Sequence, residues 1–190
     1  MAISKREQLL DAAGPRFYAN GYHATGIADV LQAAGVSKGT LYQHFDSKEA
    51  LIEAVLARFE QSSLEKLNSE LDRAGANPEA RLRFVVRAAH AAWWAGDDFS
   101  GCPFTKVAGE YADREHPINR AAAAFKQHII DLIEDLANRA GAGNPLALAT
   151  QLALLLDGGA VLQGIVGDAA LTDIADGAAQ TLVDSALTRE

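Results

Sequence analysis

Several things are scarce in this chain of 190 residues, and each scarcity excludes something. Its one cysteine, Cys102, rules out an internal disulfide, and neither a four-cysteine nor a Cys/His zinc pattern occurs. That suits a reducing cytoplasm and leads us to expect no metal and no cofactor. The N-terminus, "MAISKREQLL", is charged from residue 5 onward and lacks a secretory apolar core. The most apolar stretch, "LALATQLALLLDGGAVLQGIVG", is interrupted by Asp157, Gln163 and four glycines, so it reads as a buried helix and no membrane partner is expected. Net positive charge is missing too. The formal charge is −8, which argues against a generally adhesive nucleic-acid binder. Its distribution is uneven, however. Residues 1–50 hold five bases and five acids, whereas the rest holds 12 bases and 20 acids, so a nucleic acid would meet the neutral head and be repelled by the acidic body.

Alternating β-branched runs are almost absent while Ala and Leu abound, so the reading is all-α, with about nine helices. Ser4 with Glu7 forms a capping box for a first helix that ends at Asn20-Gly21. Pro15, preceded by Gly14, lies inside it and predicts a kink, because it crowds the carbonyl of Asp11. Thr25 is the expected cap of a second helix bearing Ile27, Val30, Leu31 and Ala34 inward, with Gly35 ending it. Ser37 caps a short third helix reaching Phe45. Asp46 with Glu49 opens a fourth, running to about Ala74 with Ile52, Val55, Leu56, Phe59, Leu64, Leu67 and Leu71 as its apolar stripe. Five more follow at roughly 79–95, 102–114, 118–140, 145–167 and 171–188, punctuated by Gly96-Asp97-Asp98, His116-Pro117, Gly141 to Pro145 and Gly167-Asp168. The chain breaks at Gly75-Ala76-Asn77-Pro78.

The third helix is the informative one. Leu41 and Phe45, four residues apart, share one face, and the remaining side chains are hydrogen-bond donors aimed elsewhere. The second helix, a turn at Gly35 and this short helix make a helix-turn-helix, in which the second element enters the DNA major groove. Thr25 and Ser37 lie at helix starts, where free N–H groups favour a phosphate. Lys38 and Lys48 can each neutralise a phosphate, Gly39 lets the backbone approach closely, and Tyr42 and His44 can donate to the DNA backbone. Gln43 can pair with adenine and Thr40 can touch a thymine methyl. Two such helices must reach half-sites about 34 Å apart, which demands a homodimer on double-stranded operator DNA.

The residues Gly21-Tyr22, Thr25, Ile27, Ala34-Gly35-Val36-Ser37, Gly39-Thr40-Leu41-Tyr42, His44-Phe45 and Ser47-Lys48-Glu49 resemble the N-terminal domain of the tetracycline-repressor (TetR) family over about residues 6–56. Gly26 departs from that pattern, standing where a small hydroxyl or β-branched residue is usual, and so does Gly14-Pro15. The resemblance implies a helix-turn-helix domain over 1–47 and a helical ligand-binding and dimerisation domain over 48–190, with the fourth helix connecting them. It implies a cytoplasmic repressor released from its operator by a small, hydrophobic effector. A regulator without a small ligand, acting as an activator or controlled by a partner protein, is the alternative. Gly101-Cys102, Phe104, Glu110-Tyr111 and His116-Pro117 are similar to a segment found in a subset of the family. The implied pocket draws on Phe84, His90, Trp93, Trp94, Phe99, Phe104, Tyr111, Phe125 and His128. The implied dimer seam draws on Leu155, Gly158, Gly159, Leu162, Val166, Leu182, Val183 and Leu187. No converging acid, base and nucleophile set exists, so no catalytic residues are assigned. The spacing of His90, His116 and His128 fits no metal pattern, and Cys102 reads as a buried structural thiol.

Overall fold

The computed structural model describes residues 3–94, 99–168 and 170–187, so the expected break at Gly96-Asp97-Asp98 lies outside the described residues. Among the described residues there is no strand and there are nine helices: α1 Lys5–Asn20, α2 Ile27–Ala34, α3 Lys38–Tyr42, α4 Lys48–Asp72, α5 Pro78–Trp93, α6 Pro103–Glu110, α7 Pro117–Ala140, α8 Pro145–Val166 and α9 Ala170–Leu187. Two compact units emerge, one from Met1–Gln61 with Pro103–Ala124, the other from Ser62–Cys102 with Phe125–Glu190.

In the first unit Ser4 caps α1, its Oγ accepting from Glu7 N at 3.2 Å. Leu9, Leu10, Ala13 and Phe17 face inward and are buried. Helix α1 runs through Pro15 to Asn20, where the sequence places its end. Gly14 explains the tolerance. A residue before proline is pushed from helical geometry by contact between its Cβ and the proline ring, and glycine has no Cβ. Pro15 itself is exposed and still removes one helical hydrogen bond. Pro15→Ala should therefore raise unfolding stability by about 1–3 kcal/mol, read as a higher denaturant midpoint; a lower midpoint would show that the pyrrolidine ring stabilises α1.

Two caps differ from expectation. Gly26, not Thr25, is the N-cap of α2, with Asp29 Oδ2 accepting from Gly26 N at 3.2 Å. Ser47, not Asp46, caps α4, its Oγ accepting from Ala50 N at 3.1 Å. At α2 the Thr25 hydroxyl is taken up by the carbonyls of Gly21 and Arg16, whereas at α4 the Ser47 hydroxyl reaches a free amide of the first turn. Helix α6 is shorter than expected because Asp113 Oδ1 accepts from Glu115 N at 3.0 Å, a local turn that competes with helix. His116 Nδ1 then accepts from Ile118 N at 3.2 Å and begins α7.

In the second unit Asn77 and Asn144 cap α5 and α8, each followed by proline at the first helical position. Helices α5, α8 and α9 bury Leu82, Val85, Val86, Ala89, Leu148, Leu152, Leu156, Ala160, Ala175, Ala179 and Val183. A Cβ on Gly164 would lie 3.0 Å from Gly101 N, so that glycine permits α8 to touch the backbone at Ser100-Gly101, just before α6. Helix α8 is long and apolar enough to cross a membrane by length and composition. The expectation that it is buried holds on one face only. Leu154, Val161, Leu162, Ile165 and Val166 stand exposed on the other.

Candidate nucleic-acid interface

Helices α1, α2 and α3 enclose Leu9, Phe17, Tyr22, Val30, Leu41 and Phe45, with Phe17 and Tyr22 stacked at 5.6 Å between ring centroids. Leu41 is fully buried and Phe45 5% exposed, and these two side chains alone pin α3 to the core. Five residues are far too few for an independently stable helix. Ser37 Oγ accepts from Thr40 N at 3.1 Å and lies 2.9 Å from Thr40 Oγ1, which closes the first turn. The opposite face carries Lys38, Gly39, Tyr42, Gln43 and His44, all exposed, with Tyr42 at 47%. Lys38 Nζ sits 5.9 Å from the centre of the Tyr42 ring. A Cβ at Gly39 would meet nothing closer than Ser37 Oγ at 3.7 Å, so the protein's own packing does not require glycine there. Lys48, at the start of α4, donates to His23 O at 3.0 Å.

Thr25 needs correction as a candidate phosphate contact. Its side chain is 3% exposed, and its hydroxyl lies 2.7 Å from Gly21 O and 3.2 Å from Arg16 O. It fastens the turn between α1 and α2 instead.

That turn is also held from α6. Glu110 accepts from Tyr22 N at 2.8 Å and from His23 N at 2.6 Å, with His23 Nδ1 at 3.1 Å. Burial pushes the Glu110 carboxyl up, but the amides of His23 and Tyr22 and the His23 ring outweigh it and hold the group below the usual 4.5. The stabilisation is present above that ordinary value and lost as pH falls through the lowered one. Acid titration of unfolding should show this loss in the wild type and not in Glu110→Gln.

The aromatic candidates for a pocket fall in both compact units. Phe104 and Tyr111 belong to the first unit, where Tyr111 stacks on His23 at 4.4 Å and lies tilted against His116 at 4.8 Å. In the second unit the two tryptophans diverge. Trp93 Nε1 donates to Ser63 O at 3.0 Å, with its ring tilted against Phe125 at 6.1 Å. Trp94 meets the edge of His90 at 5.3 Å, and its ring would lie 3.3 Å from a Cβ on Gly159. Phe99 lies 6.1 Å from Trp94. His128 is exposed on α7, away from an interior lining. Phe84 lines an open groove of 360 Å³ together with Arg73, Arg83, Arg87, Asp176 and Gln180. Among the described residues three buried polar atoms, His90 Nε2, Gln163 Oε1 and Asp176 Oδ1, lack a hydrogen-bond partner, all of them on helices of the second unit. Burial, with Arg87 nearby, lowers the His90 pKa and so disfavours the charged ring.

Of the seam candidates, Gly158, Leu162 and Val166 are exposed, and Leu155, Leu182 and Leu187 half-buried. Val183 is fully buried and Gly159 abuts Trp94, so those two serve the protomer's own packing. Cys102 is half-buried, with Lys126 Nζ 3.5 Å from its sulfur, which corrects the expectation of a buried thiol. Among the described residues no group of three or more His, Cys, Asp or Glu could hold a metal ion.

The profile of bacterial regulatory proteins of the tetR family matches residues 9–55. Along its whole length the chain is similar to a crystal structure assigned as a tetR transcriptional regulator from Streptomyces avermitilis, at 33% identity, covering 98% of this chain and 100% of that one with a TM-score of 0.80. The chain belongs to the TetR family of transcriptional regulators. A second TetR-family structure, from Streptomyces coelicolor, superposes with a TM-score of 0.90 at 26% identity over 97% of this chain and 96% of that one. Curated relatives include the transcriptional repressor KstR2 of Rhodococcus jostii, 35% identical over 88 residues, and the transcriptional activator FasR of Mycolicibacterium smegmatis, 43% identical over 84 residues. Those alignments cover 46% and 44% of this chain but only 43% and 38% of the relatives' own lengths. TetR-family members are DNA-binding regulators rather than enzymes, and the all-helical architecture with an N-terminal helix-turn-helix is theirs.

Proposed function

We propose that this TetR-family chain is a cytoplasmic homodimeric repressor that binds a pseudo-palindromic operator and is released by a small molecule. The observation carrying the DNA reading is α3, a helix too short to stand alone, anchored by Leu41 and Phe45, with Lys38, Tyr42, Gln43 and His44 bare on its outer face. Phosphate contacts fall to Ser37, Lys38, Tyr42, His44 and Lys48, and base readout to Thr40 and Gln43, with Gly39 allowing close approach. The repressor sign follows the name of KstR2.

Support for a homodimer comes from α8 and α9. Leu154, Gly158, Val161, Leu162 and Ile165 recur on one face of α8, and Ile174, Gly177, Ala178 and Thr181 on one face of α9, all exposed in the protomer. Paired about a two-fold axis, the two helices of each copy build a four-helix bundle. Support for an effector comes from the unpartnered His90 Nε2 and Gln163 Oε1, buried polar atoms that cost about 1–3 kcal/mol each until something bonds to them. The ligand that satisfies them is apolar in bulk, to suit Trp94 and Phe99, with one or two hydrogen-bonding groups.

Fluorescence anisotropy on DNA from upstream of the chain's own gene, at two salt concentrations, tests the reading. Wild type should bind tightly and salt-sensitively. Tyr42→Ala with Lys48→Ala should lose about 100-fold in affinity while remaining folded. Equal binding by the double variant would remove α3 from the interface.

A further inference from the structure

We propose that Glu110 is a positioning residue for DNA binding: its carboxylate latches the turn between α1 and α2, and through His23 that turn holds Lys48 where a phosphate meets it. The inference rests on the operator-binding reading above.

The geometry is a relay through one peptide. Consecutive backbone N–H groups of Tyr22 and His23 donate to the two oxygens of a single carboxylate, at 2.8 and 2.6 Å. The His23 ring adds Nδ1 at 3.1 Å and is covered on its flat side by Tyr111 at 4.4 Å. On the other side of residue 23, its carbonyl accepts from Lys48 Nζ at 3.0 Å. An ammonium has three donors, so one spent on His23 O leaves two for a phosphate. Gly21 makes the approach feasible. It has φ +91°, and a Cβ there would lie 3.1 Å from Glu110 Oε1.

This arrangement exceeds what ending a helix needs, since α1 is already closed by Gly21 N on Phe17 O at 3.0 Å. Two further ties bind α6 to the same end of α1. Lys106 Nζ donates to Tyr18 O at 3.0 Å and lies 4.3 Å from the centre of the Tyr18 ring, while Tyr22 Oη donates to Pro103 O at 3.2 Å. A cation near the carbonyl end of α1 is also favoured by the helix dipole. Helix α6 thus grips the end of α1 and the turn at three points, and of these three Glu110 is the one that bonds to His23, the residue that holds Lys48. Charge-assisted bonds to a bidentate carboxylate are the strongest of the three.

The test is a double-mutant cycle. Operator from random-sequence selection would be titrated with wild type, Glu110→Gln, Lys48→Met and the double variant, each checked as a folded full-length protein by circular dichroism. Glu110→Gln should raise the operator Kd about tenfold, and the same change should have less than about a twofold effect once Lys48 is methionine. Glu110→Asp should recover part of the loss. A Glu110→Gln protein that melts earlier yet binds with unchanged Kd, or a loss undiminished in the Lys48→Met background, would make Glu110 a structural clip and overturn the proposal. Failure of the wild type itself to select any DNA would overturn the operator reading and this proposal with it, an outcome the wild-type titration alone distinguishes from failure of the latch.

Discussion

Leu41→Ala is expected to abolish operator binding by dissolving the helix that presents the contacts, although Leu41 faces away from the DNA. The side chain is fully buried, and truncating a buried leucine costs about 2–5 kcal/mol through lost transfer energy and the cavity left behind. Elsewhere in the chain such a loss would be shared over long helices. Here it falls on an element of five residues whose other apolar anchor is Phe45, outside the helix proper. Ser37 cannot compensate, because its cap on Thr40 N contributes about 1 kcal/mol. The outcome should be a protein that retains most of its helical signal, loses amide-exchange protection over residues 37–45, and shows no specific operator binding. Retained protection and affinity would mean that α2 and the turn at Gly35 define α3 without its leucine.

Ile165→Glu should act in the opposite way, leaving the protomer intact and splitting the dimer. Ile165 is 77% exposed within the protomer, so a glutamate there meets water and folding stability should change by less than about 0.5 kcal/mol. In the proposed seam each dimer would bury two such carboxylates by symmetry, without a cation on the neighbouring exposed face of α8. Burying unpaired carboxylates costs several kcal/mol, which raises the dimer dissociation constant by at least about 100-fold. Operator affinity should collapse with it, since a monomer reaches one half-site only. Sedimentation velocity alongside anisotropy gives both readouts. A dimer unaffected by the substitution would place the seam off this face of α8.

What the sequence disclosed follows from range. Ser4, Ser37 and the Gly21 and Gly35 stops are local devices, each settled within four residues, and the four-residue spacing of Leu41 and Phe45 identified the buried side of α3. Local competition between neighbours was harder. Thr25 or Gly26, and Asp46 or Ser47, can each cap, and Thr25 yields to Gly26 because its hydroxyl is taken up by the carbonyls of Gly21 and Arg16. Contacts between distant residues left no trace. Glu110 meets Tyr22 and His23 across more than eighty residues, and nothing in the spacing of "GEYAD" announces that. The apolar runs of α8 and α9 likewise showed that something must be covered, but not which face the protomer covers itself. Val183 and Gly159 therefore fell to the interior, while Leu154, Val161 and Ile165 emerged as the bare strip.

The way α3 is built separates folding from reading. Leu41 and Phe45 hold it in place, while Gln43 is exposed and Thr40 is half-buried with its hydroxyl on Ser37 Oγ. Duplicated copies of such a gene could exchange Gln43 freely, acquiring new operators while the scaffold, the α6 grip and the pairing of protomers stay as they are. Divergence of regulatory targets then begins with a single substitution that asks for no stabilising compensation.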